Sequence, residues 1–418
     1  LESKVLENLL QAASCLNILA LIKQMLLTRL NHCLMINLSS LNIANKNLVI
    51  RVDMNVPIKD GRILDSTRIE ACIPTINYAL KNNAKVLLVS HLGRPLEGNF
   101  EESFSLKPVA NFLGEVIKSS IDVIDKLDSV DFFKSSSNIQ ILENVRFFDG
   151  EKRNCEKLGK KLGCLGDIYV FDAFGTAHRE QASTHSAIEN AYIACAGLLL
   201  EKEEKFLSQA LKKYDRPYLA IIGGAKVSTK LALLKQINEV ADYIIVGGGI
   251  ANTFLKSSGL NVGNSLVEDS MLETAKTILE KGKIVLPKKV VTSKTFEGEN
   301  IKEATINEVN NDVMILDLFL EQESKALIKN AKTILWNGPM GVFENIYFEK
   351  GTKELSKEIA KSDAFSLAGG GETLSAINKY IKLDDVSYCS TGGGAFLEFM
   401  EGKILPSIKA LNAKQTGS

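Results

Sequence analysis

The 418-residue chain has no net charge, with 50 Lys and Arg against 50 Asp and Glu. That balance argues against a broad basic face for nucleic acid or anionic membrane. Any anion site must be built from locally placed cations. The four histidines (His32, His91, His178 and His185) show no metal-ligand spacing. The seven cysteines (Cys15, Cys33, Cys72, Cys155, Cys164, Cys195 and Cys389) are odd in number and contain no Cys-x-x-Cys pair. Zinc sites and disulfide frameworks are therefore disfavoured, and a reducing cytoplasm fits. Two phosphate-loop signatures are also missing. The Gly-Lys pairs are followed by Lys161, Ile284 and Ile404, so no GxxxxGK[ST] exists, and Gly247–Gly249 is followed by Asn252 where a dinucleotide fold wants Gly or Ala. A standard P-loop ATPase and a nicotinamide dehydrogenase are both disfavoured.

Long apolar runs are lacking too. The longest uncharged stretch near the start, Asn8–Ile22, is too short to span a bilayer. Glu2 and Glu7 argue against a signal or transit peptide. We read residues 1–34 as a leader or upstream extension outside the fold, with a membrane-surface helix as the alternative. Met35 opens a credible domain.

With 45% hydrophobic and 24% charged residues, the rest of the chain has apolar material for two ordinary domains. Strand-length apolar runs alternate with helical patterns, which implies α/β architecture with parallel sheets. The expected strands are 48–53, 85–90, 139–143, 168–172, 218–222, 243–246, 284–286, 333–336, 364–367 and 386–389. They are too many for one comfortable sheet, so two are expected. Helices are expected at 68–82, 105–118, 228–240, 268–280 and 347–361. A helix over 197–214 carries Glu201, Glu203 and Glu204 against Lys202, Lys205, Lys212 and Lys213. Such mixed charge suits a solvent-bridging helix between domains.

Two asymmetries separate the halves. All nine arginines lie at or before Arg216, and no two glycines are adjacent before Gly223. In the first half the expected strands run into Asp53-Met54-Asn55, His91-Leu92-Gly93-Arg94, Arg146 and Arg179, with Arg68 opening a helix. If those strands are parallel neighbours, His91, Arg68, Arg94, Arg146 and Arg179 converge on one edge. Arg offers a planar fork that matches phosphate and carboxylate. Since Lys outnumbers Arg 41 to 9, its choice at these ends carries information. Taken singly, each has a plain alternative: a solvated surface Arg, a structural His, a turn-forming Asp or Asn.

In the second half, YLAIIGGAKVSTK (218–230) reads as strand, tight turn and helix start. Glycine lets backbone approach a phosphate, and helix N-terminal amides favour anions. Lys226 and Lys230 are four apart and share a helix face if the helix has begun by then. Gly369–Thr373 and Thr391–Gly394 repeat the design, although a lone triple glycine is most often a flexible turn. Glu344, in another strand-end loop, is placed to accept from ribose hydroxyls.

The segments RVDMNVP (51–57), SHLGRP (90–95), LENVRF (142–147), DAFGTAHR (172–179), GGAKVSTK (223–230), WNGPMGVFE (336–344) and STGGGAFLE (390–398) resemble phosphoglycerate kinases of the bacterial kind, in order and spacing. The resemblance implies two doubly wound parallel-sheet (Rossmann-like) domains joined by an interdomain helix, with a ligand cleft between them. The N-terminal domain would span 35–196, with 395–418 returning to it, the helix 197–214, and the nucleotide domain 215–394. Asp53, Met54, Asn55, Arg68, His91, Leu92, Gly93, Arg94, Arg146 and Arg179 would hold 3-phosphoglycerate or 1,3-bisphosphoglycerate. Lys230, Glu344, Gly370, Gly371, Glu372 and Thr373 would hold ATP or ADP with Mg2+, Glu372 being the metal ligand. Arg68, Lys226, Gly371 and Gly394 would surround the transferring phosphoryl group once the domains close. A cytoplasmic monomer with no nucleic-acid or membrane partner is implied.

Three positions depart from the family's pattern. Glu372 stands for an Asp that binds magnesium, Lys289 for another Asp, and Phe319 for a Gly near the nucleotide, where a ring would crowd the base. These departures motivate the alternative of a nucleotide-impaired binding relative. Some other two-domain small-molecule kinase is a third reading.

Overall fold

The computed structural model describes residues 35–127, 132–134 and 136–416. The leader reading of residues 1–34 falls outside them. The described chain divides into two compact units. One takes the residues up to Asp172, then Arg179–Leu198 and the segment from Pro406. The other takes Ala173–His178 and Leu199–Leu405.

The first unit is built on a six-stranded sheet. Its order is Asp122–Ile124, Ile139–Leu142, Lys85–Val89, Asn47–Val52, Ile168–Asp172 and Ala194–Ala196, with every neighbouring pair parallel. The central strands are buried along nearly their whole length, as a sheet covered on both faces requires. The helix Thr67–Lys81 shows how they are covered. Ile69, Cys72, Ile76 and Ala79 recur on one face and are buried against the sheet core. Its start is fixed by Asp65, whose Oδ1 accepts from the Thr67 amide at 2.9 Å and from the Thr67 hydroxyl at 2.6 Å.

The second unit repeats the plan with Ile284–Val285, Tyr243–Val246, Tyr218–Ile222, Thr333–Asn337, Phe365–Ala368 and Tyr388–Cys389, again all parallel. It adds a three-stranded antiparallel sheet, Lys302–Thr305, Lys289–Ser293 and Met314–Leu318. No helix among the described residues is long and apolar enough to cross a membrane.

The charged helix forms as Leu198–Lys212, but it is amphipathic rather than solvated all round. Leu200, Glu203, Leu207 and Ala210 are buried on one face. Glu203 is 0% exposed, and its Oε1 accepts from the Thr391 amide at 2.8 Å and the Thr391 hydroxyl at 2.9 Å. Burial pushes its carboxyl up to about 7, against the pull of those hydrogen bonds. The folded state therefore holds a proton that the unfolded chain releases above the usual carboxylate range. Stability from this group is complete below pH 4.5 and is lost as pH rises to about 7. Glu203→Gln is expected to gain on the wild type across that window and level off above it. Urea midpoints measured from pH 4.5 to 8 check this.

Candidate functional site

In the first unit the four central strands end side by side, and each delivers a polar group to the same edge. Asn47–Val52 runs into Asp53 and Asn55, Lys85–Val89 into Ser90 and His91, Ile139–Leu142 into Asn144 and Arg146, and Ile168–Asp172 towards Arg179. Carboxyl ends of parallel strands are where α/β sheets bind ligands.

Hydrogen bonds knit these loops together. Asn144 receives the Leu92 and Arg146 amides on Oδ1 at 3.2 and 3.1 Å. Its Nδ2 donates to the carbonyls of Leu92 at 2.7 Å and Phe104 at 2.9 Å. The Gly93 amide donates to Asn55 Oδ1 at 2.8 Å, and the Met54 amide to Ser90 Oγ at 3.0 Å. Arg146 donates from Nη1 to the Gly93 carbonyl. Arg68 donates from Nη1 to Asp53 Oδ2 at 3.1 Å and to the Asn55 carbonyl at 3.4 Å.

The arginines expected to converge lie close enough together for their charges to act on Arg146, Arg179 and His91. Burial pulls the Arg146 guanidinium down to about 10, and the charges of Arg179 and Arg51 add to that. Arg179 is lowered by its burial and by Arg51, Arg94 and Arg68, while Asp53 opposes. His91, 2% exposed, is held well below the usual imidazole range by burial first, then by Arg51, Arg146, Arg179 and Arg68. A neutral ring among so many cations adds hydrogen bonding without adding repulsion. Met54 and Leu92 are buried beneath this edge, and Arg94 is exposed on it. Sequence reasoning missed Arg51, which is fully buried with a nitrogen 3.3 Å from His91 Nδ1.

The second unit contains a pocket of about 730 Å³, counted out to its open mouth. Its walls come from the glycine turns at Gly224 and Gly248–Gly249, the loop Pro339–Val342, and the strand Met314–Leu318. Glu344 and Glu372 also line it. That size and a mostly apolar wall with few polar groups suit a small organic ligand. Beside it, Lys230 Nζ donates to the Asn337 carbonyl at 3.0 Å and to the Gly223 carbonyl. Burial lowers the Lys230 ammonium to about 8, while Glu372 pulls the other way.

Gly370 caps the helix Gly371–Tyr380 at φ 97°, a conformation that glycine tolerates. Thr373 Oγ1 accepts from the Gly338 amide at 2.8 Å, and Asn337 Nδ2 donates to the Gly369 carbonyl at 2.6 Å. The first-turn amides of that helix have no intrahelical acceptor and so present donors to an anion. Lys226 is exposed on the turn after Gly223-Gly224. Gly394 opens the helix Gly394–Met400, where a Cβ would lie 3.4 Å from His178 Nε2. The expected phosphoryl-transfer set is thus divided: Arg68 belongs to the first unit, and Lys226, Gly371 and Gly394 to the second.

Two of the three departures stand off the pocket. Phe319 does not crowd it. Its ring packs on the cluster of Val291, Leu316 and Phe348, with Lys350 Nζ 4.6 Å from its centroid. Lys289 is exposed at the start of Lys289–Ser293. Only Glu372 lines the pocket. No group of three or more His, Cys, Asp or Glu suited to a metal occurs among the described residues. One carboxylate fits Mg2+, which is commonly held by one or two carboxylates plus ligand phosphates and water.

Comparison with known proteins agrees with this layout. The phosphoglycerate kinase family model matches residues 38–403. The phosphoglycerate kinase of Vibrio campbellii is 49% identical over 383 residues, covering 91% of this chain and 99% of that protein. The structure of phosphoglycerate kinase from Coxiella burnetii superposes with TM-score 0.85 at 43% identity, covering 91% of this chain and 100% of that one. The Pyrococcus horikoshii phosphoglycerate kinase gives TM-score 0.77 at 31% identity, with the same coverage. Two parallel-sheet units, one arginine-edged and one glycine-walled, are those of a phosphotransferase. The chain belongs to the phosphoglycerate kinase family.

Proposed function

We propose that the chain moves a phosphoryl group reversibly from 1,3-bisphosphoglycerate to ADP, giving 3-phosphoglycerate and ATP, as a cytoplasmic monomer. The observation that carries this reading is the arginine edge around neutral His91 in one unit, together with the glycine-walled pocket in the other. Asp53, Asn55, Arg68, His91, Arg94, Arg146 and Arg179, with the backbone of Met54, Leu92 and Gly93, would hold the glyceric acid phosphate. Lys230, Glu344 and Gly370–Thr373 would hold the nucleotide.

The chemistry requires little proton transfer. In one direction the attacking oxygen belongs to a phosphate, and in the other to a carboxylate. Both are already anionic, so no strong base is needed. His91, bonded to Arg51 through Nδ1, is not required as one. The residues instead align two anions and offset the charge spreading over the transferring oxygens. Arg68, Lys226 and the amides of Gly371 and Gly394 are the groups we assign to that task. Mg2+, held by Glu372 and the nucleotide, would neutralise phosphate charge.

The direct test supplies purified protein with ADP, 1,3-bisphosphoglycerate and Mg2+. ATP should appear, and its absence sinks the reading. Calorimetry that finds 3-phosphoglycerate binding without MgATP binding would point to the nucleotide-impaired relative instead. Glu372→Asp is expected to retain turnover. Glu372→Ala should raise the Mg2+ concentration for half-maximal rate by about tenfold or more, read from a magnesium titration of the rate.

A further inference from the structure

Behind the arginine edge lies a buried chain of polar groups that no substrate contact requires. Glu151 and Ser183 are both 0% exposed. Ser183 donates to Glu151 from its hydroxyl at 2.6 Å and from its amide at 2.9 Å. The same hydroxyl accepts from Arg51 Nε at 2.9 Å. Arg51, also 0% exposed, is steadied further by the Val52 carbonyl and reaches His91 Nδ1 with Nη2 at 3.3 Å. Ser183 sits in a π-helical turn, Ala182–Ser186. The next residue of that turn, Thr184, donates its hydroxyl to the Arg179 carbonyl at 2.5 Å. Single π turns often mark functional positions, because they re-aim side chains that an α-helix would space differently.

The direction of the last link decides the state of His91. A guanidinium is always a donor. Nδ1 must then be the acceptor, and a neutral ring carries its proton on Nε2. Asp53 Oδ1, at 3.9 Å from Nδ1, is the competing partner. It lies beyond hydrogen-bond range, and it would favour the opposite tautomer if it won. The charged groups around the ring are therefore Asp53, which competes with Arg51 for Nδ1, and Arg51, Arg68, Arg146 and Arg179.

We propose that Arg51 is a positioning residue, aimed by Glu151 through Ser183, that locks His91 as the Nε2–H tautomer so that the ring offers a neutral N–H donor to the bound acid. This rests on the substrate site proposed above. Arg51 is fully buried and gives its bonds to Ser183, Val52 and His91, so it is not among the groups proposed to hold the acid. It works through His91, in the way that an outer partner fixes the tautomer of an active imidazole.

The test uses the full chain labelled with 15N-histidine and long-range 1H–15N correlation at pH 7 without ligand. His91 is assigned by its loss in His91→Gln. The expected pattern is an unprotonated Nδ1 and a protonated Nε2. A wild-type ring protonated on Nδ1 overturns the proposal before any variant has to fold. In Ser183→Ala the Nδ1–H form should appear, and KM for 3-phosphoglycerate should rise about tenfold with KM for nucleotide unchanged. Arg51→Lys, which keeps charge but loses the fork, should move both readouts in the same direction. Unchanged tautomer in both variants overturns the relay, as does a changed tautomer with unchanged KM for the acid. The substrate site fails separately: Arg94→Ala and Arg179→Ala that leave KM for 3-phosphoglycerate intact would count against that site and not against the ring's tautomer.

Discussion

Arg68→Ala should lower kcat by roughly a hundred- to a thousandfold, the loss seen when one preorganised charge-stabilising donor is removed, while leaving the protein folded. The side chain is 38% exposed, and its ion pair to Asp53 engages a single nitrogen, Nη1. The Arg68 end of the pair is open to solvent although the Asp53 end, at 8% exposure, is buried, so the loss of stability should be small beside the loss of turnover. The remaining N–H groups of the fork are free of that task and can follow charge as it develops. A donor used only in the transition state costs kcat and kcat/KM equally when removed, whereas one used for ground-state binding raises KM. Steady-state kinetics and a urea melt on the same sample separate the cases. An equal collapse of stability and turnover would show that Arg68 holds the edge together rather than the reacting group.

Gly223→Ala should be among the most damaging single methyls in the second unit. A Cβ at this position would run into the carbonyl oxygen of Pro339 and lie 2.8 Å from the Gly338 carbonyl carbon and 2.9 Å from that of Pro339. All three are backbone atoms in a loop that is itself fixed, since the Gly223 amide donates to the Asn337 carbonyl at 3.0 Å and the Gly338 amide to Thr373. No side chain can rotate out of the way. Overpacking against well-set structure costs about 1–3 kcal/mol and occasionally more. Lys230 also loses position, because its ammonium rests on the Gly223 and Asn337 carbonyls. The expected result is a lowered urea midpoint and lost nucleotide binding, with 3-phosphoglycerate binding retained. Calorimetry with each ligand reads the two separately.

The strands Ile168–Asp172, Tyr218–Ile222 and Tyr243–Val246 were legible to the residue because each is an unbroken apolar run closed by a polar or glycine turn. Ala194–Ala196 and Asp122–Ile124 were not, being three residues each and held mainly by their neighbours. The antiparallel sheet was missed for a different reason. Lys302–Thr305 is largely exposed and polar, so only its pairing with Lys289–Ser293 makes it a strand. That omission hid the far wall of the pocket, Met314–Leu318, and the packing of Phe319 outside the pocket lining. The arginine edge was legible because Arg is scarce here and falls at strand ends. Arg51 was not. Inside RVDMN it looks like an interruption of an apolar strand, and its reason, Ser183, stands 132 residues away. Glu203 likewise reads as one more solvated charge until Thr391 is found donating to it.

Beyond their burial, Arg146 is depressed by Arg179 and Arg51, and Arg179 by Arg51, Arg94 and Arg68, which has a thermodynamic consequence. Without an anion, this edge is a cluster of like charges held together by the rest of the fold against their repulsion. Any dianion that settles there relieves the repulsion and so behaves as a structural member. Its occupancy adds to unfolding free energy as the logarithm of its concentration over its dissociation constant. Simple electrolytes act in the same direction by screening, over a length of about 8 Å at physiological ionic strength. On the site proposed above, the melting behaviour of the first unit should report how full that site is, and phosphate or sulfate buffers should compete there with the acid.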